Sequence, residues 1–403
     1  MKKVSFYLLL IFIISGCNST KRVAEGELLL TKNTVIVDGK KNPDSNLNDY
    51  ITQRPNSKPL GFPFSLYIHN LGNEKNSKTP KQWGNRNPKT YNFFKNLFSE
   101  KQSIGVANTF IGINNWLLSN EAPVIIDTKK TKKTANTLSA YFITQGYFKN
   151  KVSYTIDSLK NKKKAKITYE IIKGEPIFID TIATEIKSPV LDSIYKKSNQ
   201  NVYLYSKKQY NDQNFRNEAN RIIKLFRNSG IYHFNEGYLE LEVDTLKSIK
   251  KAKVLIKVKE NRVEEINGRD IEKPFKIQRV KKIKVVTDYS FTQKNQAYID
   301  STNYQGIDFY AINKLKYNPK YLSQSVFIKP NSVYSDSLRN LTRDHLKSLK
   351  NFKSVTIRFD EIPGSDEELQ ATILLTPTEK YSIGVETEIT HSNIRDVGVS
   401  GKF

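Results

Sequence analysis

Apolar positions along this chain alternate between two periods. Residues 134–145 place Leu138, Tyr141 and Phe142 on one helical face. Residues 211–228 do the same with Phe215, Ala219, Ile222, Ile223 and Phe226, and residues 335–350 with Leu338, Leu341, Leu346 and Leu349. The three helical patterns stop at Gly146-Tyr147-Phe148, Gly230-Ile231-Tyr232 and Asn351-Phe352. Gly and Asn tolerate the left-handed backbone that ends a helix, and an aromatic just beyond can fold back on the last turn. Two β-type runs follow each stop: 152–157 and 165–172, 238–243 and 252–258, 355–359 and 369–376. Polar turns separate the runs, the last holding Pro363-Gly364, which predicts three β-hairpins. Further strands are predicted at 177–186 and 277–286, ahead of the second and third helices. The repeated unit is thus strand, helices, stop, strand, turn, strand.

One such unit makes a small two-layer α+β domain, helices on one face of a three-stranded sheet. The repeat sets expected boundaries at 121–174, 175–262 and 274–377. The longer third unit implies an insertion at about 291–325, rich in Tyr, Asn and Lys and without a clear period. A divergent unit is expected over 33–120, with a short strand at 34–37 and an aromatic segment at 91–98.

The N-terminus reads differently. Lys2 and Lys3 precede an apolar run at 6–14, too short to span a bilayer and of the length of a signal-peptide core. Ile14-Ser15-Gly16-Cys17 resembles the lipobox of exported bacterial lipoproteins, in which the cysteine thiol takes a diacylglyceryl anchor. Residues 1–16 are then a signal peptide, Cys17 the lipidation site and 17–32 a tether. The other reading, an ordinary secretory signal beside a stray cysteine, is weaker because Cys17 is the only cysteine and sits where a lipobox wants it. The second mature residue is Asn18, not Asp, and no acidic run follows. By resemblance to lipoprotein sorting signals, this puts the anchor in the periplasmic leaflet of the outer membrane.

Charge and composition narrow the function. The formal net charge is +25, which first suggests nucleic acid. The export signal and the scatter of lysines over strands and turns argue against that partner and for a solvated basic surface, with anionic lipid head groups as a minor partner. The four histidines, His69, His233, His345 and His391, lack metal-ligand spacing. No glycine-rich phosphate loop follows a strand, and no serine has a nucleophile-elbow context. Neither an enzyme nor a cofactor is expected.

The order of these features resembles the BamA/TamA outer-membrane assembly family, and within it the TamA-like lipoproteins. Gly174-Glu175-Pro176-Ile177-Phe178-Ile179-Asp180 is similar to a junction between POTRA domains, and the stretch from Glu121 through Pro123 to Asp127 is another recurring one. Gln53-Arg54-Pro55-Asn56 and Leu60-Gly61-Phe62-Pro63 resemble the N-terminal part of such lipoproteins. Over 378–403 the chain alternates, Tyr381, Ile383, Val385 and Ile389 against Ser382, Gly384, Glu386 and Glu388, then Val397, Val399 and Phe403. This is similar to the first hairpin of an outer-membrane barrel. A barrel needs at least about 8 strands, so the chain is expected to be a family member cut short, without the insertase activity assigned to the barrel.

The resemblance implies a periplasm-facing POTRA scaffold for outer-membrane protein assembly or translocation. It would take unfolded client strands, or a TamB-like periplasmic partner, by β-augmentation on the second strand of each unit. The implied edge residues are Val152, Tyr154 and Ile156; Tyr238, Glu240 and Glu242; and Val355, Ile357 and Phe359. The competing reading is a lipid-anchored structural or adhesive scaffold of α+β modules without an assembly role.

Overall fold

Residues 164–172 alternate Ala165, Ile167, Tyr169 and Ile171 with polar neighbours, and all four are fully buried. Such a run is a strand with one face on a core, and the sheets are built around runs of this kind. The computed structural model describes residues 18–41, 45–74, 78–97, 99–159, 163–198, 202–245, 251–264, 270–293, 296–378, 386–391 and 397–402. They fall into two compact units, one holding most of the chain up to residue 175, the other residues 176–382 with 144–146.

In the first unit, β1 (Leu29–Val37) and the two-residue β2 (Lys40–Lys41) precede a helical stretch. That stretch comprises α1 (Ser45–Asn48), α2 (Phe64–Leu71), α3 (Pro80–Arg86), α4 (Pro88–Leu97) and α5 (Glu100–Leu118). Then come α6 (Thr128–Thr144), β3 (Lys151–Ser158) and β4 (Lys164–Ile172). The sheet order is β2-β1-β4-β3, with β1 parallel and β3 antiparallel to β4. Helix α6 lays Ala135, Leu138 and Phe142 on Ile167, Tyr169 and Ile171.

This pairing corrects the expected boundary near residue 120. Residues 33–120 and 121–174 are not two units, because the strand of the first is the parallel neighbour of the last strand of the second. The aromatic segment expected at 91–98 belongs to helix α4. The expected tether is also partly folded, since Val23, Leu29 and Leu30 are buried. The two early motifs meet: buried Gln53 donates to the Ile125 carbonyl and accepts from the Asp127 amide at 3.1 Å. Buried Asn56 donates to the Ala122 carbonyl at 2.7 Å and accepts from the Val124 amide at 3.1 Å. The side-chain amides thus satisfy backbone groups of 122–127, while Ile125 bridges to Leu29 on β1.

The second unit begins with β5 (Phe178–Ile186), α7 (Pro189–Lys197), α8 (Asp212–Asn228), β6 (Leu239–Thr245) and β7 (Lys251–Val258), in sheet order β5-β7-β6. Phe215, Ile222 and Phe226 of α8 are buried, as the helical period requires. After the small hairpin β8 (Asn261–Glu264) and β9 (Asp270–Lys273), β10 (Arg279–Val286) opens a second sheet. The strands β11 (Asp300–Tyr304) and β12 (Ile307–Ala311) follow, then α9 (Pro319–Ser323), β13 (Ser332–Val333), α10 (Asp336–Ser348), β14 (Phe352–Glu361) and β15 (Glu368–Pro377). The order is β11-β12-β10-β15-β14, with β13 paired to β10. On α10, Leu346 is buried and Leu338 and Leu349 pack on the core, whereas Leu341, expected on the same face, is 40% exposed.

The insertion expected at 291–325 therefore carries regular structure. Its strand β12 reads Ile307-Asp308-Phe309-Tyr310-Ala311, buries alternate residues and joins the sheet parallel to β10. The helix stops also need one correction. Gly146 and Gly230 have φ of +89° and +98°. In each case the next amide reaches back across the last turn, Tyr147 to the Phe142 carbonyl and Ile231 to the Phe226 carbonyl, both within 3.1 Å. At the third stop the left-handed residue is Lys350, φ +57°, not Asn351. At the C-terminus β16 (Glu386–His391) pairs antiparallel with β17 (Val397–Lys402). Cys17, Tyr381, Ser382, Ile383, Gly384, Val385 and Phe403 lie outside the described residues.

Gly230 is needed for two reasons. Its φ is costly for any side chain, and a Cβ there would lie 2.7 Å from Ile277 Cγ2 and from Val333 Cγ1. Its carbonyl meanwhile accepts the Gln278 amide at 2.9 Å, joining the end of α8 to the start of the next sheet. Gly230→Ala is expected to lower stability by about 1–3 kcal/mol, through strain and overpacking together. Denaturant melts of the two proteins check this.

Candidate functional site

An antiparallel ladder alternates residues whose backbone bonds its neighbour with residues whose N–H and C=O point the other way. On an edge strand the second set has no strand to pair with. The strands β3, β6 and β14 each stand at the end of their sheet order. Their registers show which residues present open backbone.

In the β3–β4 ladder Lys151 stands opposite Ile172, and in the same register the Leu159 amide bonds the Lys164 carbonyl at 2.9 Å. Odd-numbered residues therefore face β4, and Val152, Tyr154 and Ile156 turn their N–H and C=O outward. Their side chains pack on the core, while those of Ser153, Thr155 and Asp157 are exposed. The expected residues on β3 thus present backbone to a partner, not side chains.

On β6 the register turns the named residues the other way. Leu239 stands opposite Val258, and the Lys259 amide bonds the Tyr238 carbonyl at 2.8 Å. Tyr238, Glu240 and Glu242 therefore face β7, and Leu241 and Val243 carry the outward groups, whereas the Leu239 amide is taken by the Glu236 carbonyl of the preceding turn. Tyr238 is not in the strand at all. It ends a 3-10 turn, Glu236–Tyr238, whose first turn is capped by Asn235, and its hydroxyl donates to Asn261 at 2.9 Å. Glu240 and Glu242 pair along the sheet surface with Lys259 and Lys257, and the Lys259 contact holds the Glu240 carboxyl below the usual range.

The β14–β15 ladder has Ile362 donating to Glu368 at 3.0 Å in the register that sets Phe359 opposite Ala371. Val355, Ile357 and Phe359 then carry the outward groups, and all three pack on the core. This edge is partly occupied. The Tyr232 hydroxyl donates to the Phe359 carbonyl at 3.1 Å, and His233 Nε2 lies 2.7 Å from Glu361 Oε1.

A polar knot holds that cap. Arg227 of α8 donates to the carbonyls of Tyr232 and Phe234, each at 2.9 Å, and to the Tyr334 hydroxyl at 2.8 Å and Asp336 Oδ1 at 3.1 Å. Tyr334, fully buried, donates its own hydroxyl to Asp336 at 2.9 Å. Burial raises the Tyr334 pKa. At Asp336 burial acts in the same direction, but hydrogen bonds from Arg227 and Tyr334 outweigh it and leave the carboxyl below its ordinary range. Gln278 adds its carbonyl oxygen to the Tyr232 amide at 3.1 Å.

The first strand of each sheet is less open. Ile179 of β5 accepts from Lys207 and donates to Lys208, β10 is covered by β12, and β1 is met by 124–126 at one end and by β2 at the other. β11 ends the third sheet on the side away from β14. Among the described residues no group of His, Cys, Asp and Glu could hold a metal, and no helix is long and apolar enough to cross a membrane.

By element order and strand pairing the chain is built of βααββ modules, the first of them with extra helices. No family model and no curated protein matches it. Among solved structures it is similar to POTRA domains 3–5 of BamA from Haemophilus influenzae, with 12% identity, 88% of this chain and 99% of that one covered, and a TM-score of 0.35. The periplasmic POTRA domains 1–3 of Omp85 from Anabaena give 10% identity, coverage of 89% and 98%, and a TM-score of 0.23. BamA from Haemophilus ducreyi lacking POTRA domains 1–3 gives 9%, 50% and 29%, and 0.32.

Two outcomes follow from the knot and its cap. Tyr232→Phe removes one hydrogen bond, frees the Phe359 carbonyl and is expected to cost about 0.5–1.5 kcal/mol in a denaturant melt. The depressed Asp336 contributes stability above the unfolded carboxylate pKa of about 3.9, and that contribution is lost as pH falls through the folded value. Asp336→Asn is therefore expected to be less stable than the parent at neutral pH and to lose less on acidification. Melts at both pH values check the difference.

Proposed function

We propose that this chain is a lipid-anchored, periplasm-facing POTRA scaffold of an outer-membrane protein assembly or translocation factor. It acts by binding, without catalysis of its own. The observation that carries the reading is the run of open second-strand edges, whose outward amides and carbonyls belong in every module to residues with core-facing side chains. Such an edge offers a fixed ladder of donors and acceptors and no sequence-reading pocket, which suits extended segments of many unfolded outer-membrane clients. Solved structures similar to this chain, at low TM-scores, include POTRA domains of BamA and periplasmic POTRA domains of Omp85. Cys17 at the end of a lipobox-like stretch supports anchoring at the outer membrane, and the hairpin of β16 and β17 suits the start of a barrel. A TamB-like periplasmic protein is the other partner of the same edges.

The edges differ in availability. β3 and β6 are open, whereas β14 is capped at Phe359. A photo-crosslinking side chain placed at Thr155, Glu242 or Asp360 keeps the core intact, because all three are exposed. With a peptide of alternating apolar and polar residues as client, Thr155 and Glu242 are expected to capture more than the exposed helix position Lys132. Asp360, beside the cap, is expected to match Lys132. Capture at Thr155 and Glu242 no better than at Lys132 contradicts the proposal.

A further inference from the structure

Exposed large apolar side chains gather in the helical stretch between β1 and α6, which the edge-binding reading does not use. Leu60 is 92% exposed, at the tip of a turn where its φ is +55°, and Phe62 and Phe64 stand beside it with ring centroids 6.0 Å apart. Leu71, at the end of α2, and Ile113 and Trp116, near the end of α5, are each at least half exposed. Hydrogen bonds draw these segments together. His69 Nδ1 lies 3.1 Å from the carbonyls of Leu118 and Asn120, Ser65 bonds the Asn120 side chain at 3.3 Å, and Asn73 and Asn114 exchange bonds.

The chain start is fastened to the same place. The Asn18 carbonyl accepts from Asn70 at 3.1 Å, Lys21 donates to the Asn70 carbonyl at 3.0 Å, and Arg22 binds the Gly72 carbonyl and Glu74. Cys17 is one Cα step, about 3.8 Å, from Asn18. An acyl chain on that residue therefore enters the bilayer next to this apolar surface. Charge points the same way: Lys81, Arg86, Lys89, Lys95 and Lys101 are exposed, and between residues 78 and 101 the sequence sets only Glu100 against them.

Resting on the anchoring at Cys17 proposed above, we infer that the helical insert is a bilayer-docking surface. Its apolar side chains seat in the interfacial layer and its lysines meet anionic head groups. Trp, Phe and Leu on such a surface, with Lys and Arg around them, is the composition of segments that lie in the head-group plane. Docking here fixes the first unit against the membrane instead of leaving it on a free tether.

The two tryptophans make the test direct. Trp83 is buried and stacked on Phe110 at 5.3 Å, while Trp116 is 60% exposed. The full chain is purified in detergent, its acylation read by mass, and reconstituted into phosphatidylcholine vesicles with or without phosphatidylglycerol, with bromine on the acyl chains as quencher. Trp116 emission is expected to shift to shorter wavelength and to be quenched, more strongly with phosphatidylglycerol. In Trp116→Phe the remaining Trp83 emission is expected to stay unquenched. Replacing Lys81, Lys89 and Lys95 by Glu is expected to abolish the phosphatidylglycerol effect. An acylated chain that floats with the vesicles while Trp116 stays unquenched overturns the inference, whatever becomes of edge binding. If no acyl group is found, anchoring fails but the surface is still tested. The chain must then float with phosphatidylglycerol vesicles, and the double variant Leu71→Ser, Trp116→Ser must weaken that binding by at least about tenfold. Absence of flotation overturns it.

Discussion

Parallel pairing of a first strand with a third is the constraint on which each module depends. It puts β4, β7 and β15 in the middle of their sheets, where they bond a strand on both sides. Their inward residues, Ala165 to Ile171, Ala252 to Val258 and Leu369 to Leu375, are accordingly almost all fully buried. A parallel neighbour can be reached only by a long crossover, so helices must lie between the first strand and the hairpin. The second strand is then necessarily an edge. Its open backbone is a consequence of the topology and needs no special residues of its own.

What distinguishes the edges is their surroundings. The second unit closes β10 with β12 and caps β14 through Tyr232, while β6 keeps its outward groups at Leu241 and Val243. The cap depends on Arg227, which ties the end of α8 to Tyr334 and Asp336. A partly buried ion pair of this kind contributes little net stability against its desolvation, but removing one partner leaves the other stranded, so it fixes geometry more than it adds strength. The joint also needs Gly230, the one residue small enough to let β13 and the residues before β10 approach.

Much of this was legible in the sequence. Helical periods at 211–228 and 335–350, hairpin runs with polar turns, and glycines at 146 and 230 each correspond to an element of the structure. Four things were not legible, each for a physical reason. The parallel partner of β1 lies more than a hundred residues away, so residues 33–120 read as a unit of their own when their strand in fact completes the next sheet. The strand β12 spans five residues, too short for its alternation to stand out among tyrosines and asparagines. The register of the edges depends on hairpin geometry. The registers put outward amides at Leu241 and Val243 on β6, between the expected Glu240 and Glu242, and at Val152, Tyr154 and Ile156 on β3. Glu218 of α8, buried against Arg221 at 2.6 Å, gave no periodic signal, since a paired carboxylate on an apolar face reads as a break in the pattern.

Residue-resolved amide exchange tests the central claim most directly, with and without a client strand peptide. The account predicts alternation on the open edges of the free protein. Amides of Val152, Tyr154 and Ile156, and of Leu241 and Val243, exchange quickly, while those of Ser153, Thr155, Glu240 and Glu242, bonded to the central strands, exchange slowly. The peptide then slows the first set and leaves the second as it was. Equal protection of neighbouring residues in the free protein, or no slowing of the outward set by the peptide, would contradict it.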